Sequence, residues 1–401
     1  MNPRIARAAC VLLLASCQLP DADPEGHWYK GNLHTHTLWS DGDDFPEMVV
    51  DWYHSRGYHF LALTDHNIVA DHEKWIANDE VIGRGGRAAL AEYRARFGRD
   101  HVETREIEGR LEVRLQRLDE LRPLFEEEGR FLLIPAEEIS AGFEGKPIHL
   151  NASNVAAVIP PRGGTSVQDV IRANLRAVQE HAERHGRPVL AHLNHPNFGW
   201  AVTPEDLAAV EEERFFEVYN GHPAVHHLGD ATRPGVERLW DIANTVRLRE
   251  LQGPLLYGLA TDDSHDYHNA AGSTPGRGWV MVRARDLSTA ALLDAIERGD
   301  FYASSGVVLD DVRFDGEELA IDVRPADGAS YVTEFLGTRA DGETGEVLQR
   351  VAGTRPRYRL RGDELFVRAT VTASLPADNP VFEGQRRQAW VQPVRPAPPA
   401  R

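Results

Sequence analysis

Sulfur, positive charge and long apolar runs are all scarce in this chain. Of its 401 residues only two are cysteines, Cys10 and Cys17, both in the first seventeen positions. With Cys10 in a removable leader and Cys17 acylated, the mature chain has no disulfide, no thiolate metal ligand and no thiol nucleophile. Asp and Glu number 62 against 44 Lys and Arg, a formal net charge of -18. That balance excludes a general nucleic-acid binder, whose footprint is basic. It leaves a small anionic substrate open, because bound cations would dominate the local field. The apolar stretch Ala8–Ala15 is too short to cross a bilayer as a helix. No Gly-x-Ser-x-Gly elbow occurs, so a serine triad of that type has no support. What remains for chemistry is His, Asp and Glu, in a chain whose 42% hydrophobic content suffices for a core.

The N-terminus reads as an export signal over residues 1–17. Arg4 and Arg7 precede the apolar stretch, which ends in Leu14-Ala15-Ser16-Cys17 and resembles a bacterial lipobox. The resemblance implies lipidation at Cys17. Gln18, in place of an inner-membrane-retaining Asp, implies an outer-membrane lipoprotein facing the periplasm. Residues 18–27, with Pro20 and Pro24, read as a tether.

From there the pattern is strand, helix, strand, with polar residues at the strand ends. Tyr29–His36 is a strand. Phe45–Tyr53 is a helix with Pro46 at its start and Gly57 as its stop. Tyr58–Thr64 is a strand running into Asp65-His66-Asn67. Residues 71–129 read as a helical insertion, with helices over Arg87–Phe97 and Leu111–Glu128, either a solvated amphipathic pair or a lid. Further strands end in Glu137-Glu138, in His192–Asn197, at Asn220 and in Thr261–His265, and a strand over Lys146–Ala152 bears His149. Helices are expected over Thr165–Gly186, from Thr203, over Arg233–Gln252 and over Ser288–Arg298. After about Val308 short alternating runs separated by turns predict a small antiparallel β domain over 308–393, then a disordered Pro-rich tail over 394–401.

His34 and His36 stand two apart on a strand end, so their side chains can grip one cation, and Asp41 follows past a turn. Five strand ends carry His, Asp or Glu, and His149 adds a sixth position. Buried ionisable groups are costly, so packing alone does not gather so many in one place. A mixed imidazole and carboxylate set suits manganese, zinc or iron. His192 and His195 are an odd number apart, so only one should enter such a site. Asp263, not Asp262, shares a face with His265.

The ordered set His34-Thr35-His36, Ser40-Asp41-Gly42, Thr64-Asp65-His66, Glu138-Ile139-Ser140, His195-Pro196-Asn197 and Asp263-Ser264-His265 resembles the polymerase-and-histidinol-phosphatase (PHP) family. The resemblance spans residues 31 to about 306 and looks closest to a carbaryl-hydrolase-like branch. It implies a distorted (β/α)7 barrel over 28–307, with two or three divalent transition metals at the strand C-termini. It also implies a ligand set of His34, His36, Asp41, His66, Glu138, His149, His195, Asp263 and His265. Within it Asp65 becomes a partner behind the ligands, Glu137 points away, and Pro196 favours His195 over His192. The insertion and the β domain depart from the minimal family pattern. Arg277, in a Gly-rich turn, could clamp a phosphate. Asn32, Asn67, Asn197 and Asn220 could donate to substrate oxygens or cap turns. His222, His226 and His227 have no partner pattern and are expected at the surface.

The activity these features predict is hydrolysis of small phosphomonoesters or phosphodiesters, nucleotide-like, through metal-bound hydroxide. The alternatives are an ester, amide or carbamate hydrolase with the same site, and a non-catalytic metal-binding lipoprotein. The expected partners are the substrate and, through the lipid, a membrane, but no nucleic acid as a polymer.

Overall fold

A computed structural model describes residues 26–396. The expected export signal with Cys17, the expected tether up to residue 25 and residues 397–401 of the expected tail lie outside the described residues.

Strand β1 (His27–Asn32) leads through a buried loop to helix α1 (Pro46–His54), and β2 (Phe60–Leu63) follows. Proline at the first helical position of α1 loses no needed N–H donor there. The segment read as a helical insertion is mixed. It comprises β3 (Lys74–Ala77), α2 (Asn78–Gly85), α3 (Ala89–Phe97), β4 (Thr104–Ile107), β5 (Arg110–Leu115) and α4 (Leu118–Phe125). The expected helix over Leu111–Glu128 is corrected to a strand and a short helix. Leu111, Val113 and Leu115 alternate with Glu112 and Arg114, a pattern that suits a half-buried strand as well as a helix, and pairing with β3 and β4 makes it a strand with Val113 and Leu115 buried. β3, β5 and β4 form a separate antiparallel sheet.

Then come β6 (Leu132–Phe143), β7 (Lys146–Ser153), α5 (Val167–His185), β8 (Leu190–Leu193), α6 (Pro204–Ala209), β9 (Phe215–Asn220), α7 (Val236–Val246), β10 (Tyr257–Thr261), β11 (Trp279–Ala284), α8 (Thr289–Glu297) and β12 (Phe301–Ser304). The Ser166 hydroxyl caps α5 by accepting from the Asp169 N–H, and Gly186 ends it at φ +62°. The helix expected over Arg233–Gln252 is shorter and passes into a π-helical turn at Arg247–Leu251.

β1, β2 and β6 are parallel neighbours, as are β8, β9 and β10. β7 runs antiparallel to both β6 and β8, joined to β6 by a tight hairpin where strict β/α alternation would place a helix. Beyond the C-terminal ends of β1 and β10, a parallel bridge between Thr35 and Ser264 joins the two extremes of this seven-strand run. The His36 N–H donates to the Ser264 carbonyl (2.9 Å) and the Asp263 N–H to the His34 carbonyl (3.0 Å).

The C-terminal part holds β13 (Leu309–Phe314), β14 (Glu318–Val323), β15 (Tyr331–Arg339), β16 (Glu346–Ala352), β17 (Arg357–Arg359), β18 (Glu364–Pro376) and β19 (Arg386–Val394). The sequence suggests an independent small sheet. Instead β19 pairs with β12, and β18, β15 and β16 follow, so that one 13-stranded sheet runs through both regions. Only β13, β14 and β17 stand apart. Arg368 on β18, fully buried, reinforces the join with a bidentate pair to Asp241 on α7 (2.6 and 2.9 Å).

Candidate metal centre

The site forms where β1, β2, β6, β7, β8 and β10 end or pass. On leaving β1 the chain buries Leu33 in the core and presents His34 and His36 to one side, their Nε2 atoms 3.1 Å apart. At that distance either one nitrogen donates a proton to the other or both turn their lone pairs toward a shared cation. Asp263 Oδ1 lies 3.1 Å from His34 Nε2 and 3.2 Å from His36 Nε2. Glu138 reaches His34 and His36 (3.5 Å each), His149 (3.0 Å), His66 (2.8 Å) and His195 (3.6 Å). The 2.8 Å contact of Glu138 Oε2 with His66 is not in hydrogen-bond geometry, so this buried oxygen has no hydrogen-bond partner. Asp41, the most exposed member, approaches His66 (3.3 Å) and His265 (3.4 Å).

These residues form three overlapping groups with the ligand atoms of each inside 4.8 Å: His36, Asp41, His66 and His265; His34, His36 and Glu138; and His66, Glu138 and His149. His36, His66 and Glu138 each belong to two. Seven of the nine residues of the expected ligand set fall in these groups; Asp263 and His195 lie outside them but beside them, Asp263 against His34 and His36 and His195 3.6 Å from Glu138. The orphaned Glu138 oxygen, the facing imidazoles and the oxygen and nitrogen donor set all fit divalent cations.

Electrostatics argue the same way. Burial opposes ionisation of Glu138, yet His34, His149 and His66 around it hold it well below the usual carboxylate range. Burial likewise disfavours charge on the imidazoles, but Glu138 and Asp41 lift His66 to about 11, and Asp41 and Asp263 lift His265 to about 9. His36 drops to about 4 through burial and the proximity of His265. The carboxylates thus demand positive charge in the cleft. A divalent cation meets that demand by displacing protons.

Alternation is not what aims every ligand. His195 sits at φ +23° and Asp263 at φ +48°, so neither is on extended backbone. Non-glycine residues held at positive φ cost about 1–3 kcal/mol each and persist where the surroundings over-determine them.

A carboxylate that sequence reading passed over supports the cluster from behind. Glu217, in the middle of β9, is fully buried. Its Oε1 accepts from His34 Nδ1 (2.6 Å) and the Thr261 hydroxyl (2.7 Å); its Oε2 accepts from the His195 N–H (2.7 Å) and Asn220 Nδ2 (2.8 Å). The bond fixes the proton on His34 Nδ1 and turns the Nε2 lone pair into the cleft. A lone Glu among Phe215, Phe216, Val218 and Tyr219 was the available signal, because such a group needs buried partners. Asn194 donates to Glu138 (2.7 Å), and Asn220 to Asp263 (3.0 Å).

Other expected positions have different roles. Both Asp65 oxygens are occupied by the preceding loop: the Thr37 N–H and hydroxyl (2.9 Å each), the Ser40 N–H (3.0 Å) and the Ser40 hydroxyl (2.6 Å). Asp65 therefore pins the loop that carries His36 and Asp41. Arg277 is buried and donates to the Gly221 carbonyl (2.7 Å) and Asn379 (3.3 Å), tying loops together rather than clamping a phosphate. His192 is buried 3.5 Å from Glu217, outside the three groups. Glu137 points away, accepting from the Ile159 N–H (2.6 Å). Asp262 also turns away, accepting from Tyr53 and the N–H groups of Gly276, Arg277 and Gly278. Asn32, Asn67 and Asn197 bond backbone groups. His227, expected at the surface, stacks on Tyr219 and donates to the Asn220 carbonyl (2.8 Å). His222, also expected there, lies at the mouth, its ring centroid 5.8 Å from that of His265.

No family model matches the chain, and no curated protein matches it. Among solved structures it is similar to a two-domain protein from Bacteroides vulgatus described as containing a predicted PHP-like metal-dependent phosphoesterase. That match has 16% identity and a TM-score of 0.41 and covers 94% of this chain and 97% of the other. It is also similar to an amidohydrolase from Chromobacterium violaceum with bound sulfate and no metal, at 15% identity and a TM-score of 0.30, over 59% of this chain and 87% of that one.

Proposed function

We propose that this protein is a metal-dependent hydrolase of small phosphomonoesters or phosphodiesters, built on a distorted seven-stranded barrel. The observation that carries the reading is the sharing of buried Glu138 among His34, His36, His66 and His149, with Asp41 and His265 completing the overlapping donor groups and Asp263 and His195 beside them. Two or three divalent ions held there, manganese, zinc or iron, would supply Lewis acidity toward a substrate oxygen. The residues themselves hold and orient. Glu217 sets the His34 tautomer, Asp65 pins the loop carrying Asp41, and Asn220 fixes Asp263. A phosphoryl group fits a site that gathers several cations, because it offers more than one charged oxygen at once.

The test is elemental analysis of protein purified under metal-replete conditions, then a panel of phosphoesters, carboxylesters and carbamates with and without chelator. Two or more ions per chain and chelator-sensitive phosphoester turnover are expected. Good cleavage of carbamates or carboxylesters with phosphoesters untouched would move the assignment to the second chemistry, and activity after complete demetallation would remove both. Export and lipid anchoring through Cys17 belong to the same proposal; a wild-type protein that fractionates as soluble would overturn that part.

A further inference from the structure

An arc of rings runs from one candidate ligand to another. The His195 and Phe198 centroids are 5.1 Å apart, Phe198 and His222 5.2 Å, and His222 and His265 5.8 Å. Phe198 and His222 are only part-buried. The two loops that carry them, after β8 and after β9, are stapled. A bridge joins Phe198 to Val225, and Asn197 Nδ2 donates to the His226 and Pro234 carbonyls (3.0 Å each). The rim is thus set before any substrate arrives.

His222 has a defined polarity. Its Nδ1 accepts from the Ala224 N–H (3.1 Å), so the hydrogen sits on Nε2 across the ring. That donor stays on Nε2 whether the ring is neutral or charged. Among the described residues Nε2 has no hydrogen-bond partner and is not fully sealed from solvent.

Resting on the phosphoesterase reading, we infer that Phe198 and His222 form the specificity wall of the site. Phe198 takes the planar ring of an aryl phosphoester, and His222 Nε2–H donates to a phosphoryl oxygen. The short distance from Phe198 to His195 favours a ring attached directly to the leaving oxygen. A nucleobase would sit a sugar's length further out.

The experiment measures binding of phenylphosphonate, ethylphosphonate and a nucleoside 5′-phosphonate to manganese-loaded protein by calorimetry, with metal content checked for every variant. Phenylphosphonate should bind about tenfold more tightly than ethylphosphonate, one aromatic contact's worth. Phe198→Ala should remove that preference while retaining metal. His222→Ala should weaken both simple phosphonates by about tenfold or more, the loss of one hydrogen bond to a charged group, and His222→Gln, which keeps an N–H, should recover part of it. Equal wild-type affinity for the phenyl and ethyl compounds, a preference that survives Phe198→Ala, or a tighter nucleoside phosphonate would overturn the inference and leave the phosphoesterase reading intact. Metal-loaded protein that binds none of the three would overturn both.

Discussion

Glu217 does for His34 what the peptide chain does for a strand: it leaves one orientation. With Nδ1–H committed to a buried carboxylate, the ring can offer only Nε2 to the cleft. Glu217→Gln keeps the volume and weakens that bond, so metal affinity should fall about 10–100-fold in chelator competition, with folding retained. A variant of unchanged affinity would leave Glu217 a packing residue. Glu213 tests the burial of a carboxyl with one oxygen unpaired. Its Oε1 accepts from the Phe215 N–H, its Oε2 has no partner, and burial pushes its pKa up to about 8. The folded value lies above the ordinary 4.5, so the stability contributed by the protonated form is complete below about pH 4.5 and is lost as pH rises toward 8. Glu213→Gln should flatten the pH dependence of urea unfolding between pH 5 and 8 by a few kcal/mol, at roughly 1.36 kcal/mol per pKa unit. Parallel profiles for the two proteins would refute it.

At the scale of elements, the insertion holds the loop that carries Asp41. Trp39 Nε1 donates to the Gln116 carbonyl (3.0 Å), Lys74 donates to the Trp39 carbonyl, and Arg84 donates to the carbonyls of Ser40 and Gly42. Leu38, Trp39 and Phe45 share one apolar cluster with Ile76, Val81, Tyr93, Val113 and Leu115. Arg84→Ala should raise amide exchange across residues 37–44 and loosen the group containing Asp41, while global stability changes by no more than about 1 kcal/mol. Unchanged exchange there would mean the apolar cluster alone fixes the loop. The insertion also marks where local reading failed. Charges spaced among Leu and Val suit an amphipathic helix or a half-buried strand, and Arg110–Leu115 was resolved by its pairing with β3 and β4.

Across the whole molecule, the continuous sheet couples the C-terminal strands to the site-bearing strands. Arg368 is the polar bolt of that coupling, bound to Asp241 and Thr370 and lying over Trp240. Arg368→Met would strand the Asp241 carboxylate in a buried position and should cost about 3–5 kcal/mol in urea unfolding, and Arg368→Met with Asp241→Leu should recover most of it. A single cooperative transition is expected in both, because β12 and β19 pair across the join. Separate transitions would show that the two regions fold independently.

Local sequence determined which residues could carry chemistry. His34-x-His36, Asp65-His66 and Asp263-Ser264-His265 are legible because ionisable side chains at the ends of apolar strands are expensive unless they have partners. It could not determine who those partners are. Glu138 stands more than a hundred positions from His34 and Asp263 more than a hundred from Glu138, so their meeting depends on strand order and on the bridge between Thr35 and Ser264. Glu217 and His222 have their partners at that level. One is a charge hidden in an apolar strand and the other a loop histidine, and only the closing of distant strand ends gives either a neighbour to act on.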